Sequence, residues 1–230
     1  MSLITLNNLS KNYPLGNQQI AAVQGLTLGI EAGEFTVLAG PSGSGKTTVL
    51  NIVGALDTPS EGSVIVDGKD YSVMNSRQLA DFRLRRIGFI FQSYNLIPVL
   101  TAAENAEFTL MLQGVAPLER RQKITRIFAE LGIAGLEDRR PNDLSGGQQQ
   151  RVAIARAIAP QPAVVLADEP TANLDSHTAE DLLQLMHSLN REQGMTFLFS
   201  SHDPLVIAHA ERVISLRDGQ LEDDLRQRLE

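Results

Sequence analysis

The sequence predicts a mixed α/β fold with a parallel strand core, an antiparallel β layer and an inserted helical segment. Three observations carry this expectation. The runs at 35–39, 163–167 and 196–200 are almost wholly apolar, as strands covered on both faces are. Short β-type runs alternate with helix-like segments along much of the chain, the pattern of strands joined by helical crossovers. From Leu100 to about Arg140 the β-type runs stop.

Taken in order, Ile4-Thr5-Leu6 and Val64-Ile65-Val66, with turn signals at Glu31-Ala32-Gly33 and Asp67-Gly68, read as the antiparallel layer. Phe35 to Ala39 is the first central strand, and a helix follows from near Lys46 through Ile52. Ile87 to Phe91 is a further β run. Glu119 to Leu131 places Ile124, Ile127, Phe128 and Leu131 at helical spacing. Gln148 to Ala159 reads as a helix whose apolar stripe is Val152, Ala155 and Ile158 or Ala159, beside Arg151 and Arg156; Pro160 and Pro162 end it. Ala163 to Ala167 and Thr196 to Ser200 complete the central sheet. Val213 to Leu216 follows, and Asp218-Gly219 marks a hairpin near the end. With no internal repeat or long linker, one domain over 1–230 is expected, its core in about 1–92 and 161–230 and a helical subdomain in about 93–160.

Composition narrows the classes of function. Among 230 residues, 20 Lys and Arg stand against 27 Asp and Glu, a net charge of -7 that argues against a nucleic-acid-coating protein. No nucleic-acid partner is expected. The absence of cysteine rules out a disulfide framework, a thiolate metal cluster and a cysteine nucleophile, and fits a reducing compartment. The start, Met1 to Leu6, lacks a basic and then apolar secretory leader, so export is not expected. Apolar stretches are short, as from Val152 to Ala159 with Arg156 inside, whereas a spanning helix needs roughly 20 apolar residues. The tail from Gln220 to Glu230 is too short for a ligand-sensing domain.

The chemistry is concentrated in two places. Gly40-Pro41-Ser42-Gly43-Ser44-Gly45-Lys46-Thr47 matches the phosphate-loop pattern G-x-x-x-x-G-K-[ST], with an apolar strand before it and a helix opening through Thr48 after it. Glycines there let backbone N–H groups converge on phosphates, the helix dipole adds positive potential, Lys46 adds a point charge and Thr47 an oxygen for Mg²⁺. The run ending Ala167-Asp168-Glu169-Pro170 delivers two carboxylates at a strand end. Asp168 is expected to hold Mg²⁺. Because successive strand residues point to opposite sides, Glu169 is expected to face elsewhere, toward an attacking water. His177, His187 and His209 have no such context and read as ordinary surface or core residues.

Leu144-Ser145-Gly146-Gly147-Gln148, followed by Gln149-Gln150-Arg151 and lying upstream of the Asp168-Glu169 run, carries a family resemblance. Alone, this run could be a helix N-cap with a flexible lead-in; its paired glycines at a helix N-terminus, with Ser145 as hydroxyl donor, also read as a second anion site. In this order of motifs the chain resembles an ABC ATPase, the nucleotide-binding subunit of ABC transporters, over essentially its whole length. The implied fold is that of P-loop NTPases, with a RecA-like core, an antiparallel β layer and the helical subdomain. The implied substrate is ATP, with Mg²⁺. Further partners would be a second copy of the subunit or a paralogue, arranged head to tail so that Ser145, Gly146, Gly147 and Gln148 of one cover the nucleotide on the phosphate loop of the other, and a separate integral membrane permease. The resemblance makes Tyr13 the aromatic stacked on adenine, Gln92 a residue near Mg²⁺ that senses the permease, Asp175 part of the D-loop, His202 a contact of the γ-phosphate and Glu169 the catalytic base. It places the protein at the cytoplasmic face of the inner membrane, held there through the permease. Gly40 to Thr48, Ile87 to Pro98 and Leu144 to Ala157 resemble the lipoprotein-releasing, macrolide-export and cell-division branch. Two positions depart from it: Ala172, where glycine is usual and alanine is expected to be tolerated, and Ala106-Glu107, near the expected permease contact. Two other readings stay open: an ABC-type ATPase acting on DNA or ribosomes, and ATP-driven mechanical signalling to a membrane protein without transport.

Overall fold

A computed structural model describes residues 2–16 and 18–227. Two sheets organise it. The first is antiparallel and four-stranded, built from β1 (Ser2–Leu15), β2 (Gln18–Glu31), β4 (Glu61–Val66) and β5 (Lys69–Asp70) in the order β2-β1-β4-β5. The second is six-stranded, from β3 (Phe35–Ala39), β6 (Ile87–Ile90), β7 (Val164–Asp168), β8 (Thr196–Ser201), β9 (Arg212–Arg217) and β10 (Gln220–Arg226), in the order β10-β9-β3-β8-β7-β6. All its pairings are parallel except the terminal β9–β10 hairpin. The three apolar runs expected at the centre lie side by side there as β3, β8 and β7. Helices α1 (Lys46–Val53), α2 (Ser76–Arg86), α3 (Ala102–Leu112), α4 (Pro117–Glu130), α5 (Gly146–Ile158), α6 (Ser176–Gln193) and α7 (Pro204–Ala208) fill the connections.

The antiparallel layer departs most from the sequence reading. β1 runs 14 residues, not three, and β2 was not foreseen. In β1 the inward residues are Ile4 and Leu6, then Leu9 and Lys11; in β2 they are Val23, then Leu26, Leu28 and Ile30. Each series skips a beat, because Asn8 (φ 48°) and Gly25 (φ 61°) form bulges where the register shifts. An added residue reverses which face the next side chains take, so period-2 alternation fails across the whole strand.

The parallel sheet separates two buried clusters. On one face, Val37, Val165, Phe197 and Phe199 pack with residues of α3, α4, α5 and α6. On the other, Leu38, Leu166 and Leu198 pack with α1 and the antiparallel layer. Helix α5 corrects the expected single stripe: Gln150, Val152, Ala153, Ile154, Ala155, Ala157 and Ile158 are all buried. It is covered on most sides because it lies between the α3–α4 helices and the strand core. Ala106, fully buried in α3, faces the core, and Glu107 pairs with Arg120 at 3.4 Å within the helical segment. Ala172 needs no left-handed backbone and is exposed, so a methyl group fits. Of the terminal residues, Met1 and 228–230 lie outside the described residues.

Candidate nucleotide site

Parallel strands that enter one sheet in the same direction deliver their C-terminal ends to one edge, where α/β proteins bind ligands. Here β3 leads into the glycine loop, β6 into Gln92, β7 ends on Asp168 and β8 leads into His202. Residues scattered from 13 to 202 thereby line one cleft of about 510 Å³: Tyr13, Ala22, Ser42 to Thr48, Gln92, Glu169 and His202.

The loop is held open at its base. Gly45 sits at the N-cap of α1 with φ 98°, and a side chain there would run into the Ala22 carbonyl, so glycine is required. It brings no side-chain cap to the helix. Lys46 is 7% exposed, and its Nζ donates to the carbonyls of Gly40 and Pro41 at 2.7 and 2.9 Å. An ammonium has three donors, so one remains for a ligand. Ser44 Oγ is buried without a hydrogen-bond partner among the described residues.

Thr47 Oγ1 donates to Asp168 Oδ1 at 3.1 Å, which brings together the two oxygens expected to serve Mg²⁺. Glu169 arrives differently from the expectation. The strand ends at Asp168, and Glu169 adopts φ 45°, left-handed for a non-glycine residue. Its aim comes from this turn, fixed by a bond from its N–H to the Ser200 carbonyl (2.9 Å), and not from strand alternation. Oε2 accepts from Ser201 Oγ at 2.9 Å and Oε1 lies 2.7 Å from His202 Nδ1. The carboxylate is thus largely buried, 15% exposed, while the imidazole is 71% exposed.

Tyr13 lies at the other end of the cleft. Its phenol donates to Asp57 Oδ2 at 2.7 Å, and burial followed by that carboxylate raises its pKa. Gln92 is exposed, and its carbonyl accepts from Asn173 Nδ2 at 2.8 Å. Beyond it, Arg156 donates to the carbonyls of Tyr94 and Asn95 at 2.7 and 2.5 Å, its pKa lowered by burial.

The cleft does not include the 145–148 motif or Asp175. Ser145 is the N-cap of α5 in a closed capping box: Ser145 Oγ accepts from Gln148 N–H (3.3 Å), and Gln148 Oε1 accepts from Ser145 N–H (2.9 Å). Gly147 packs against the Thr178 methyl, where a side chain would not fit. Asp175 caps α6, accepting from Thr178 N–H and Oγ1 at 3.0 and 2.7 Å; the hydroxyl bond, first, lowers its pKa.

Sequence reasoning missed Ser201, Asn173, Arg156 and Asp57 as parts of this region. Ser201, next to His202 in the quoted run Ser200-Ser201-His202-Asp203, was within reach of inspection. The others act through partners 44 to 81 positions away, which leave no local pattern.

A family model described as ABC transporter matches residues 23–172. The chain is 46% identical over 224 residues to the uncharacterized ABC transporter ATP-binding protein MJ0796 of Methanocaldococcus jannaschii, covering 96% of this chain and 95% of that one. It is 44% identical over 226 residues to the macrolide export ATP-binding/permease protein MacB of Brucella melitensis, covering 98% of this chain and 35% of MacB. It thus spans about a third of that longer relative. A solved dimeric structure of the MJ0796 cassette, in a post-hydrolysis state bound to ADP and Pi, superposes with a TM-score of 0.90 at 43% identity, covering 98% of this chain and 99% of that one. The chain belongs to the ABC transporter family. Within it, this is the ATP-hydrolysing component, related to macrolide-export ATPases.

Proposed function

We propose that this chain binds Mg²⁺·ATP in the cleft, pairs head to tail with a second copy or a paralogue, and uses hydrolysis to drive an export-type membrane permease. The observation that supports this best is the single cleft that gathers Tyr13, the glycine loop, Gln92, Glu169 and His202. The domain is one nucleotide-binding unit over 1–230, with its core in about 1–92 and 161–230 and a helical subdomain in about 93–160.

In this reading Gly40 to Thr48 cradle the phosphates, and the third N–H of Lys46 reaches the γ-phosphate. Thr47, Asp168 and Gln92 offer hard oxygens, and the contact of the first two suits Mg²⁺, which favours oxygen ligands shared with phosphates. When bound, Mg²⁺ neutralises charge on the β- and γ-phosphates. Glu169, held by Ser201, accepts the proton of the attacking water. His202 meets Glu169 through Nδ1, and donating to the γ-phosphate from Nε2 at the same time takes the doubly protonated ring. Ser145 accepts from Gln148 yet keeps its own O–H to donate, so with Gly146 and Gly147 it covers the nucleotide of the facing subunit. Asp175 closes the loop that runs from Glu169 to α6, and its cap on α6 keeps that loop in shape.

In this reading a permease segment docks on a groove of this chain. An apolar groove of about 440 Å³ is lined by Leu56, Leu84, Phe89, Phe91, Leu112 and Arg156, next to Gln92. Arg156 borders the groove and also holds Tyr94 and Asn95, which joins a docked permease segment to the nucleotide cleft. No helix among the described residues is long and apolar enough to cross a membrane. Attachment to the cytoplasmic face of the membrane would therefore run through the permease. The test is a pull-down with tagged Glu169→Gln protein from detergent-solubilised native membranes in Mg²⁺·ATP. Recovery of an integral membrane permease is expected; recovery of only DNA- or ribosome-associated proteins would overturn the transporter assignment.

A further inference from the structure

The base end of the cleft contains a polar tether that neither the phosphate loop nor the carboxylates account for. Asp57 lies in the turn immediately after α1, the helix whose N-terminus carries the phosphate loop. That turn is fixed: the N–H groups of Leu56 and Asp57 donate to the Asn51 carbonyl at 2.8 and 3.2 Å, and Arg83 Nη1 donates to the Ala55 carbonyl at 2.7 Å. From there, Asp57 Oδ2 accepts from the Tyr13 phenol at 2.7 Å. Oδ1 accepts from Lys11 Nζ at 2.6 Å and from Thr58 N–H at 2.7 Å. Lys11 is buried to 9% exposure and also donates to the Thr58 carbonyl at 2.7 Å. Its ammonium stands over the Tyr13 ring, 4.9 Å from the centroid, within cation–π range.

This arrangement makes the aromatic ring part of the same rigid piece as the phosphate loop. The helix between them is eight residues, about 12 Å long, so one short element sets how far the ring stands from the phosphates. A ring on a strand end that is 38% exposed would otherwise rotate about its side-chain bonds. Lys11 occupies one face of the ring, which leaves a single face for stacking.

We propose that Asp57 and Lys11 are positioning residues for the base of ATP: Asp57 pins the Tyr13 phenol, and Lys11 covers one ring face so that adenine stacks on the other. The inference rests on the reading of Tyr13 as the adenine-stacking residue. Neither residue touches the nucleotide; both act through the ring.

The test separates base from phosphates. Calorimetric affinities for Mg²⁺·ATP and for Mg²⁺·tripolyphosphate, which has no base, are measured for the wild type and for Asp57→Asn, Lys11→Met, Tyr13→Phe and Tyr13→Ala. Asp57→Asn and Tyr13→Phe are each expected to weaken ATP binding about 5-fold, the cost of immobilising on binding a ring that the tether no longer holds. Lys11→Met should weaken it in the same sense. Tripolyphosphate binding should stay unchanged in all, and combining Asp57→Asn with Tyr13→Phe should add nothing. Equal weakening of both ligands, or unchanged ATP affinity in Asp57→Asn and Tyr13→Phe, would overturn the tether. Tyr13→Phe keeps the ring and removes only the hydroxyl, so it decides the matter even if Asp57→Asn fails to fold. If Tyr13→Ala also leaves ATP and tripolyphosphate affinities unseparated, the reading of Tyr13 itself falls; if it alone separates them, only the tether does.

Discussion

Helices α1 and α5 both begin at glycines and both were expected to bind phosphate, yet their N-termini differ. The start of α1 has a glycine N-cap, no side-chain cap and Lys46 in its first turn. That of α5 closes on itself through Ser145 and Gln148. An uncapped helix start keeps several N–H donors for an anion. A capping box satisfies two donors within the chain, and what Ser145 has left is its hydroxyl proton. In the proposed reading, the first end binds nucleotide on its own and the second contributes to a site only when another subunit brings one. On that reading a single subunit holds ATP, and a pair completes the catalytic site.

The largest expected effect lies on the α1 side. Glu169→Gln removes the proton acceptor and should lower ATP turnover about 10²- to 10⁴-fold, while ATP-dependent dimers persist in size-exclusion chromatography; wild-type turnover would remove Glu169 from its role. Lys46→Ala should weaken ATP binding to the isolated subunit about 30-fold or more, measured by calorimetry, because a buried charged donor to phosphate is lost. Ser145→Ala sharpens the contrast between the ends: turnover should fall about 10²-fold, yet the affinity of the subunit for ATP should not move. A change in that affinity would mean that α5 reaches nucleotide within its own chain. The smallest effect isolates capping from catalysis. Helix α2 carries an equivalent capping box, Asn75 with Gln78. Asn75→Ala and Ser145→Ala should each cost about 1 kcal/mol in urea denaturation, but Asn75→Ala should leave turnover unchanged.

Much of this was legible in the sequence where local pattern and structure coincide. Strands β3, β7 and β8 are short apolar runs covered on both faces, and the glycine loop follows the first of them directly. The start of α5 was readable as both cap and anion site, and the capping reading describes Ser145 in the structure. Where a left-handed residue interrupts the pattern, legibility fails. The bulges at Asn8 and Gly25 hid β2, and the turn at Glu169 replaced the expected strand alternation. Long-range partners were equally hidden: Asn173 joins the Gln92 segment to the loop after Glu169, and its carbonyl lies beside Gly146 at the start of α5. Those contacts link the Gln92 segment, the loop after Glu169 and the start of α5, which no spacing along the chain reveals.

The most direct test of the account mixes two inactive proteins. Lys46→Ala loses its own phosphate site but keeps the α5 end, and Ser145→Ala has the reverse defect. In a head-to-tail pair of the two, one site combines both lesions and the other is wild type throughout. The account predicts that an equimolar mixture regains ATP turnover well above the sum of the separate proteins, approaching about half of the wild-type rate per mixed dimer and, with random pairing, about a quarter per total dimer. A mixture no more active than that sum would contradict the claim that the two ends meet across subunits.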